Sequence, residues 1–141
     1  MDAREQIQAN VELAIEQLGP LVDFDFGLNR ESVQWVEGFI ERQREREGFD
    51  PEDAGGLIGV IGSFLGECIV AATGGRWEWA EAQGHWCVQL ANNNKAFPFV
   101  KVEKQFRQGL SAGESTFSFY TITVDYVATG RFDEERRSDP A

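Results

Sequence analysis

The run Ala54-Gly-Gly-Leu-Ile-Gly-Val-Ile-Gly-Ser-Phe-Leu-Gly-Glu67-Cys68-Ile-Val-Ala-Ala-Thr73 holds a single charge, that of Glu67, in twenty residues. Its length and apolarity match a membrane-crossing helix. Its Gly55-x-x-x-Gly59 and Gly62-x-x-x-Gly66 spacings match a face along which such helices pair. Three features argue for a buried helix instead. Glu67 lies inside the run and would cost about 3 kcal/mol at the middle of a bilayer. Asp50, Glu52 and Asp53 precede the run, and no basic cluster adjoins either end. Asp50-Pro51-Glu52-Asp53 also reads as a helix start, with a cap residue, a proline at the first position and acids in the first turn. The pattern therefore predicts a central helix from Asp50 to about Ala72, stopped by Gly74-Gly75. Each glycine inside it costs about 1 kcal/mol of helix propensity. A column of four is expected where another element must approach closely.

The sequence that follows predicts the approaching element, a β-hairpin over 76–90. Trp77 and Trp79 share one face of the first strand, Ala82-Gln83-Gly84 turns the chain, and Trp86, Val88 and Leu90 share a face of the second. The indoles are expected to pack over the glycine column, and a ring left exposed would mark a binding patch. Asn92 to Lys95 reads as a turn, Ala96 to Phe99 as a third short strand, and 100–109 as a helix carrying Val102 and Phe106. Residues 114–128 fit two periods. Phe117, Phe119, Thr121 and Thr123 alternate as in a strand, whereas Phe117, Tyr120, Val124 and Val127 follow a helix. Glu114-Ser115 after Gly113 is a start signal and favours the helix. The charged tail from about Arg131 is expected to be disordered.

Before the central run, residues 2–18 predict an amphipathic helix with Ile7, Val11, Ala14 and Leu18 on one side, capped by Asp2 and ended by Gly19-Pro20. Val22, Phe24 and Phe26 alternate with Asp23 and Asp25, as in a short extended segment or edge strand. Residues 30–47 predict a second helix, capped by Asn29, with Val33, Val36 and Ile40 in its stripe and Trp35 and Phe39 beside it. Its charged end, Glu41 to Glu47, interleaves arginine with glutamate as a solvated helix end does. The fold class expected is α+β. N-terminal helices and a glycine-rich central helix pack on a small antiparallel sheet, with C-terminal helices following, in one domain over residues 1–130.

The 141 residues carry 24 acids against 13 lysines and arginines, a net charge of −11. Such a surface repels nucleic-acid phosphates and anionic membranes. The excess is uneven: residues 1–50 hold twelve acids and five basic side chains, and residues 101–141 hold seven and six. Two cysteines, Cys68 and Cys87, make no disulfide framework. The first residues, Met-Asp-Ala-Arg-Glu-Gln, lack an apolar export core, so reduced thiols and a cytoplasmic location are expected.

Most catalytic chemistries lack their residues. The one histidine, His85, shares a strand face with Cys87, but Cys87 sits in no glycine elbow and at no helix start that would lower its pKa. Cys and His together number three, short of the four a structural zinc usually takes. No Gly-Lys-Ser/Thr follows the glycine column, and Gly74-Gly75-Arg76 is too short for a dinucleotide fingerprint. No carboxylate pair is singled out among the acids. Neither a cofactor nor a metal is expected, and the chain reads as a non-enzyme. Glu67 remains unusual, because a carboxylate on a helix built for burial needs a partner or a raised pKa. A tryptophan N–H and Arg76 are the structural partners within reach, and the functional reading is a ligand or acid–base group.

Three motifs occur in a fixed order: Gly62-Ser-Phe-Leu-Gly-Glu67, Gly74-Gly-Arg-Trp77 and Phe97-Pro-Phe-Val-Lys-Val102, followed by Gly109. In this order the stretch from Leu57 to Gly109 resembles an uncharacterised family of small bacterial proteins. That family's pattern is a Leu-Gly-x-x-x-Gly-Glu helix, a Gly-Gly-x-Trp strand and a Phe-Pro-x-x-Lys-Val segment. Ile61 stands here at the first leucine. The resemblance implies a compact α+β domain and no established activity.

Two functional readings follow. The first is a protein-interaction module of the immunity or inhibitor type, whose partner is another, basic protein. The second is a small-molecule site or cryptic enzyme with a pocket between hairpin and central helix, near Glu67, Trp77 and Lys101. Trp79 and Trp86 complete the set of candidate residues, as possible contacts of a partner.

Overall fold

The computed structural model describes residues 1–130. The tail expected to be disordered, 131–141, lies outside the described residues. Helix α1 spans Ala3–Leu18 and begins where the Asp2 carboxylate accepts the Glu5 N–H at 2.8 Å. It buries Ile7, Val11, Ala14 and Leu18, the stripe read from the spacing. Helix α2 spans Arg30–Arg44. The Asn29 side chain accepts from the Ser32 N–H at its start, and Val33, Val36 and Ile40 are buried. It stops at Arg44 rather than Glu47, and Glu45 to Gly48 turn the chain with Gly48 at φ +78°.

Helix α3 spans Gly55–Thr73. The expected start is displaced. Asp50 caps a separate single turn, Pro51–Asp53, and α3 begins after Ala54 without a side-chain cap. Its end is built as expected. Gly74 takes the left-handed conformation at φ +75° and donates to the Val70 carbonyl, a geometry that a residue with Cβ adopts only at a cost.

The hairpin is formed by β1, Arg76–Ala80, and β2, His85–Gln89. Trp77 lies opposite Val88 and Trp79 opposite Trp86. A two-residue β3, Lys95–Ala96, pairs antiparallel with β2 and completes a sheet of order β1-β2-β3. The third strand is shorter than the Ala96–Phe99 expected. Pro98 opens helix α4, Pro98–Gln108, because its fixed φ and missing N–H suit the first helical position. Helix α5, Thr116–Thr129, resolves the ambiguous segment in favour of the helix, with the Ser115 hydroxyl accepting from Ser118 N–H.

The alternating segment at 21–28 forms no strand. Gly19–Leu21 make one helical turn, and the chain then runs irregularly to Asn29. Phe26 is buried and stacks on Phe64 with ring centres 5.1 Å apart, while Asp23 and Asp25 are exposed. The period of two was real, but it marks an extended chain buried on one side. Its polar groups go to local partners: Gly27 N–H donates to the Ser32 hydroxyl and Asn29 Nδ2 to the Asp25 carbonyl.

Helix α3 is the centre of this α+β fold. Helices α1, α2, α4 and α5 and both long strands touch it. Its residues 61–66, Cys68 and Ile69 are buried. It is long and apolar enough to cross a membrane by length and composition, yet here its middle, 61–69, is the inside of the fold. The glycine column divides into two kinds. A Cβ on Gly62 would stand 2.4 Å from the Phe99 ring, and one on Gly66 would stand 2.0 Å from Trp77 Cη2. At Gly55 and Gly56 nothing lies within 4 Å. The column is therefore a close-packing surface at Gly62 and Gly66, meets Asn10 of α1 at Gly59, and is open at Gly55.

Candidate functional site

Glu67 leaves the last turns of α3 half-buried, and its Oε2 accepts a hydrogen bond from Trp77 Nε1 at 2.9 Å. This is one of the two structural partners expected. The other, Arg76, lies nearer Glu78, with Nε 3.9 Å from Oε2. The bond holds the indole over Gly66, where the ring also meets Phe99 at 5.7 Å between centres. A charge-assisted bond to a neutral donor fixes ring orientation, and the glycine removes the side chain that would prevent it. Among the described residues, four surface depressions are lined by neither Glu67 nor Trp77, and one of them is lined by Lys101, with Lys95 and Lys104. Directly over Gly66 the space between hairpin and helix is filled by the indole and Pro98.

The other candidate residues are dispersed. Trp79 shares the face of Trp77 but is 47% exposed. The expectation that all three indoles cover α3 therefore fails for Trp79. Trp79 meets Trp86 edge-on at 6.0 Å, and the Arg4 guanidinium of α1 sits 5.7 Å from the Trp86 ring. Lys101 lies on α4, where its Nζ donates to Glu114 Oε2 at 2.6 Å. That hydrogen bond and the Lys101 charge hold the Glu114 carboxyl below its ordinary value.

His85 is exposed and Cys87 buried on β2. Burial pushes the Cys87 thiol up, partly offset by Lys95. Burial, and then the charge of Glu67, push the Cys68 thiol far up. Neither is activated as a nucleophile. Among the described residues no group of three His, Cys, Asp or Glu side chains converges as on a metal ion.

The sequence reading missed one buried polar node. Gln105 is wholly buried. Its Nε2 donates to the Glu37 carbonyl at 3.1 Å and to Glu41 Oε2 at 3.0 Å, and its Oε1 accepts from Thr116 N–H at 3.1 Å. Ser115 Oγ donates to Glu37 Oε1, and Arg44 Nε donates to the Phe106 carbonyl. These bonds tie α2, α4 and the start of α5 together. The available signal was an amide three residues after Val102 and next to Phe106, on the face that the pattern assigned to the core.

The surface of α1 and the segment after it is the strongest electrostatic feature. Asp2, Glu5, Glu12, Glu16, Asp23, Asp25 and Glu31 are all exposed, and none forms an ion pair among the described residues. Arg4 and Arg30 are the basic side chains in the same stretch, and Arg30 pairs with Asp125 at 3.3 Å. By contrast, Glu41, Glu52, Glu103 and Glu114 are each engaged by Arg or Lys.

Comparisons with protein-family models, with curated proteins and with solved structures returned no match.

Proposed function

We propose that the chain is a protein-interaction module whose partner is a basic protein, in the manner of an immunity protein or inhibitor that covers its target. The unneutralised carboxylates of α1 and residues 19–31 carry this reading. A field of one sign steers an oppositely charged partner and can raise association rates by one to three orders of magnitude at low salt. Carboxylates placed for fold stability would be expected beside the arginines, as Glu41 and Glu52 are. The reading includes a non-enzymatic role, without cofactor or metal, and a place in the cytoplasm, away from nucleic acids and membranes. Membership of the family of small bacterial proteins belongs to the same proposal, supported by the order of the three motifs.

The test is binding to the purified products of the genes adjacent to this one. A complex with a basic product, whose association rate falls with salt and falls again in the Glu5→Lys/Glu12→Lys/Glu16→Lys variant, is expected. If no neighbouring product binds, or if binding ignores both salt and those substitutions, the reading fails.

A further inference from the structure

Beside the acidic helix runs an apolar groove. Leu13 and Gln17 of α1, Phe39 of α2, and Gly56, Leu57 and Val60 of α3 line it, with a volume of about 300 Å³. Gln17 is the one polar side chain among these six, and Leu13 is 43% exposed. At Leu57 the groove meets a second depression, lined by Phe49, Glu47, Asp50 and Asp53 and also by Arg46. Glu16 stands one helical turn from Leu13 on the exposed side of α1. An apolar floor is thus bordered by carboxylates at the α2–α3 end, with Glu16 near its α1 edge. The glycines deepen it, because Gly56 has nothing within 4 Å of where its Cβ would stand.

We infer that this groove receives an amphipathic helix of a basic partner protein, with two or three large aliphatic side chains in the groove and lysines or arginines over its rim. The inference rests on the proposed function and gives it a location. The occupant follows from three observations. Side chains line the groove and no strand edge borders it, so a segment lying there must satisfy its own backbone hydrogen bonds, as a helix does. The adjoining end of the groove carries Glu47, Asp50 and Asp53 against Arg46, and Glu16 stands one turn from Leu13, so the complementary charge is positive. A second copy of this chain would set −11 against −11 and is disfavoured. Leu13 and the open start of α3 at Gly55 and Gly56 also explain each other, because a docked side chain would cover both.

The experiment uses the full chain and a synthetic helical peptide of about 18 residues, with leucines at i, i+3, i+4 and i+7 spacing and lysines elsewhere. A scrambled peptide of the same composition serves as the control. Binding is read by anisotropy and mapped by amide chemical shifts. The patterned peptide is expected to bind at least about tenfold more tightly than the scrambled one, with shifts centred on Leu13, Leu57 and Val60. Gly56→Leu, which fills the groove without removing any core contact, is expected to abolish that difference and leave the weaker, salt-dependent binding of both peptides. Leu13→Asp is expected to act likewise, and thermal melting verifies that each variant is folded.

Equal binding of the two peptides, or shifts centred on Trp79 and Trp86, overturns the groove while leaving the acidic-surface reading standing. Loss of all peptide binding in Glu12→Lys/Glu16→Lys with the groove variants unaffected does the same. A dimer in light scattering that Gly56→Leu dissociates would assign the groove to a second copy. Co-sedimentation with phosphatidylcholine vesicles that Gly56→Leu abolishes would assign it to a membrane. Either result overturns the inference.

Discussion

Gly66→Ala isolates the contact on which the hairpin is set. The new Cβ would stand 2.0 Å from Trp77 Cη2, 2.2 Å from Cζ2 and 3.0 Å from Pro98 Cγ. Two effects oppose each other. Replacing a mid-helix glycine by alanine gains about 1 kcal/mol of helix propensity. Overpacking a fitted site costs about 1–3 kcal/mol. The indole is a rigid ring held by Glu67, so it can move only by lengthening the 2.9 Å bond, a further loss of about 1 kcal/mol for a partly exposed hydrogen bond. The overpacking wins, and the net expectation is a destabilisation of about 2 kcal/mol. At about 3–5 °C per kcal/mol for a domain of this size, the melting temperature falls by about 6–10 °C. Urea titration followed by tryptophan fluorescence and far-ultraviolet dichroism measures it.

Two comparisons make the cause specific. Gly56→Ala, at an open position, should stabilise by up to about 1 kcal/mol. In a Trp77→Phe background the ring atoms that collide are gone, so Gly66→Ala should cost about 1 kcal/mol less than in the parent, a coupling that a double-mutant cycle reads directly. A Gly66→Ala protein as stable as the parent would show that Trp77 does not sit where the close-approach argument needs it.

Three further outcomes are expected. Gln105→Leu should destabilise by about 2–3 kcal/mol in urea, because it strands the buried Thr116 N–H and removes the bonds to the Glu37 carbonyl and Glu41, and a loss under 1 kcal/mol would contradict the node's role. Both thiols should react with Ellman's reagent at least about tenfold more slowly in the native chain than in urea, since burial raises both; a fast native phase would show that one is open. Glu114 is held below its ordinary carboxyl value by Lys101, so its pairing adds stability above the unfolded pKa that is lost as pH falls through the lower, folded one. The stability gap between parent and Glu114→Gln should therefore be full near neutrality and close in acid, and a gap that stays constant from neutral pH into acid would refute the pairing.

Helices with one-sided periodicity were legible from sequence down to single residues. The stripe of α1 and that of α2 are the buried ones, because period and burial are the same fact on an isolated helix. Boundaries moved where local chemistry offered two solutions. Asp50-Pro51 caps a turn as readily as a helix, and Pro98 can end a strand or open a helix. The segment at 21–28 shows the limit of periodicity, since alternation reports which side of an extended chain is covered, and strand pairing needs a neighbour that the pattern does not name. At the candidate site, the Glu67–tryptophan bond was legible because a carboxylate on an apolar helix has few neutral donors within reach. The exposure of Trp79 was not, because it depends on which neighbours the tertiary fold brings to that strand face. The Gln105 node joins residues more than sixty positions apart, and the groove needs three helices in place. Neither is written in any local stretch.

The sheet has one more consequence. Strand β1 is an edge for its whole length, and β3 covers β2 only at Val88 and Gln89. Unpaired strand edges invite pairing with another chain, with aggregation as the extreme case. Here the edge is five residues long and carries Arg76 and Glu78, an ion pair at 3.9 Å. The fold thus closes its sheet to strangers by shortness and charge.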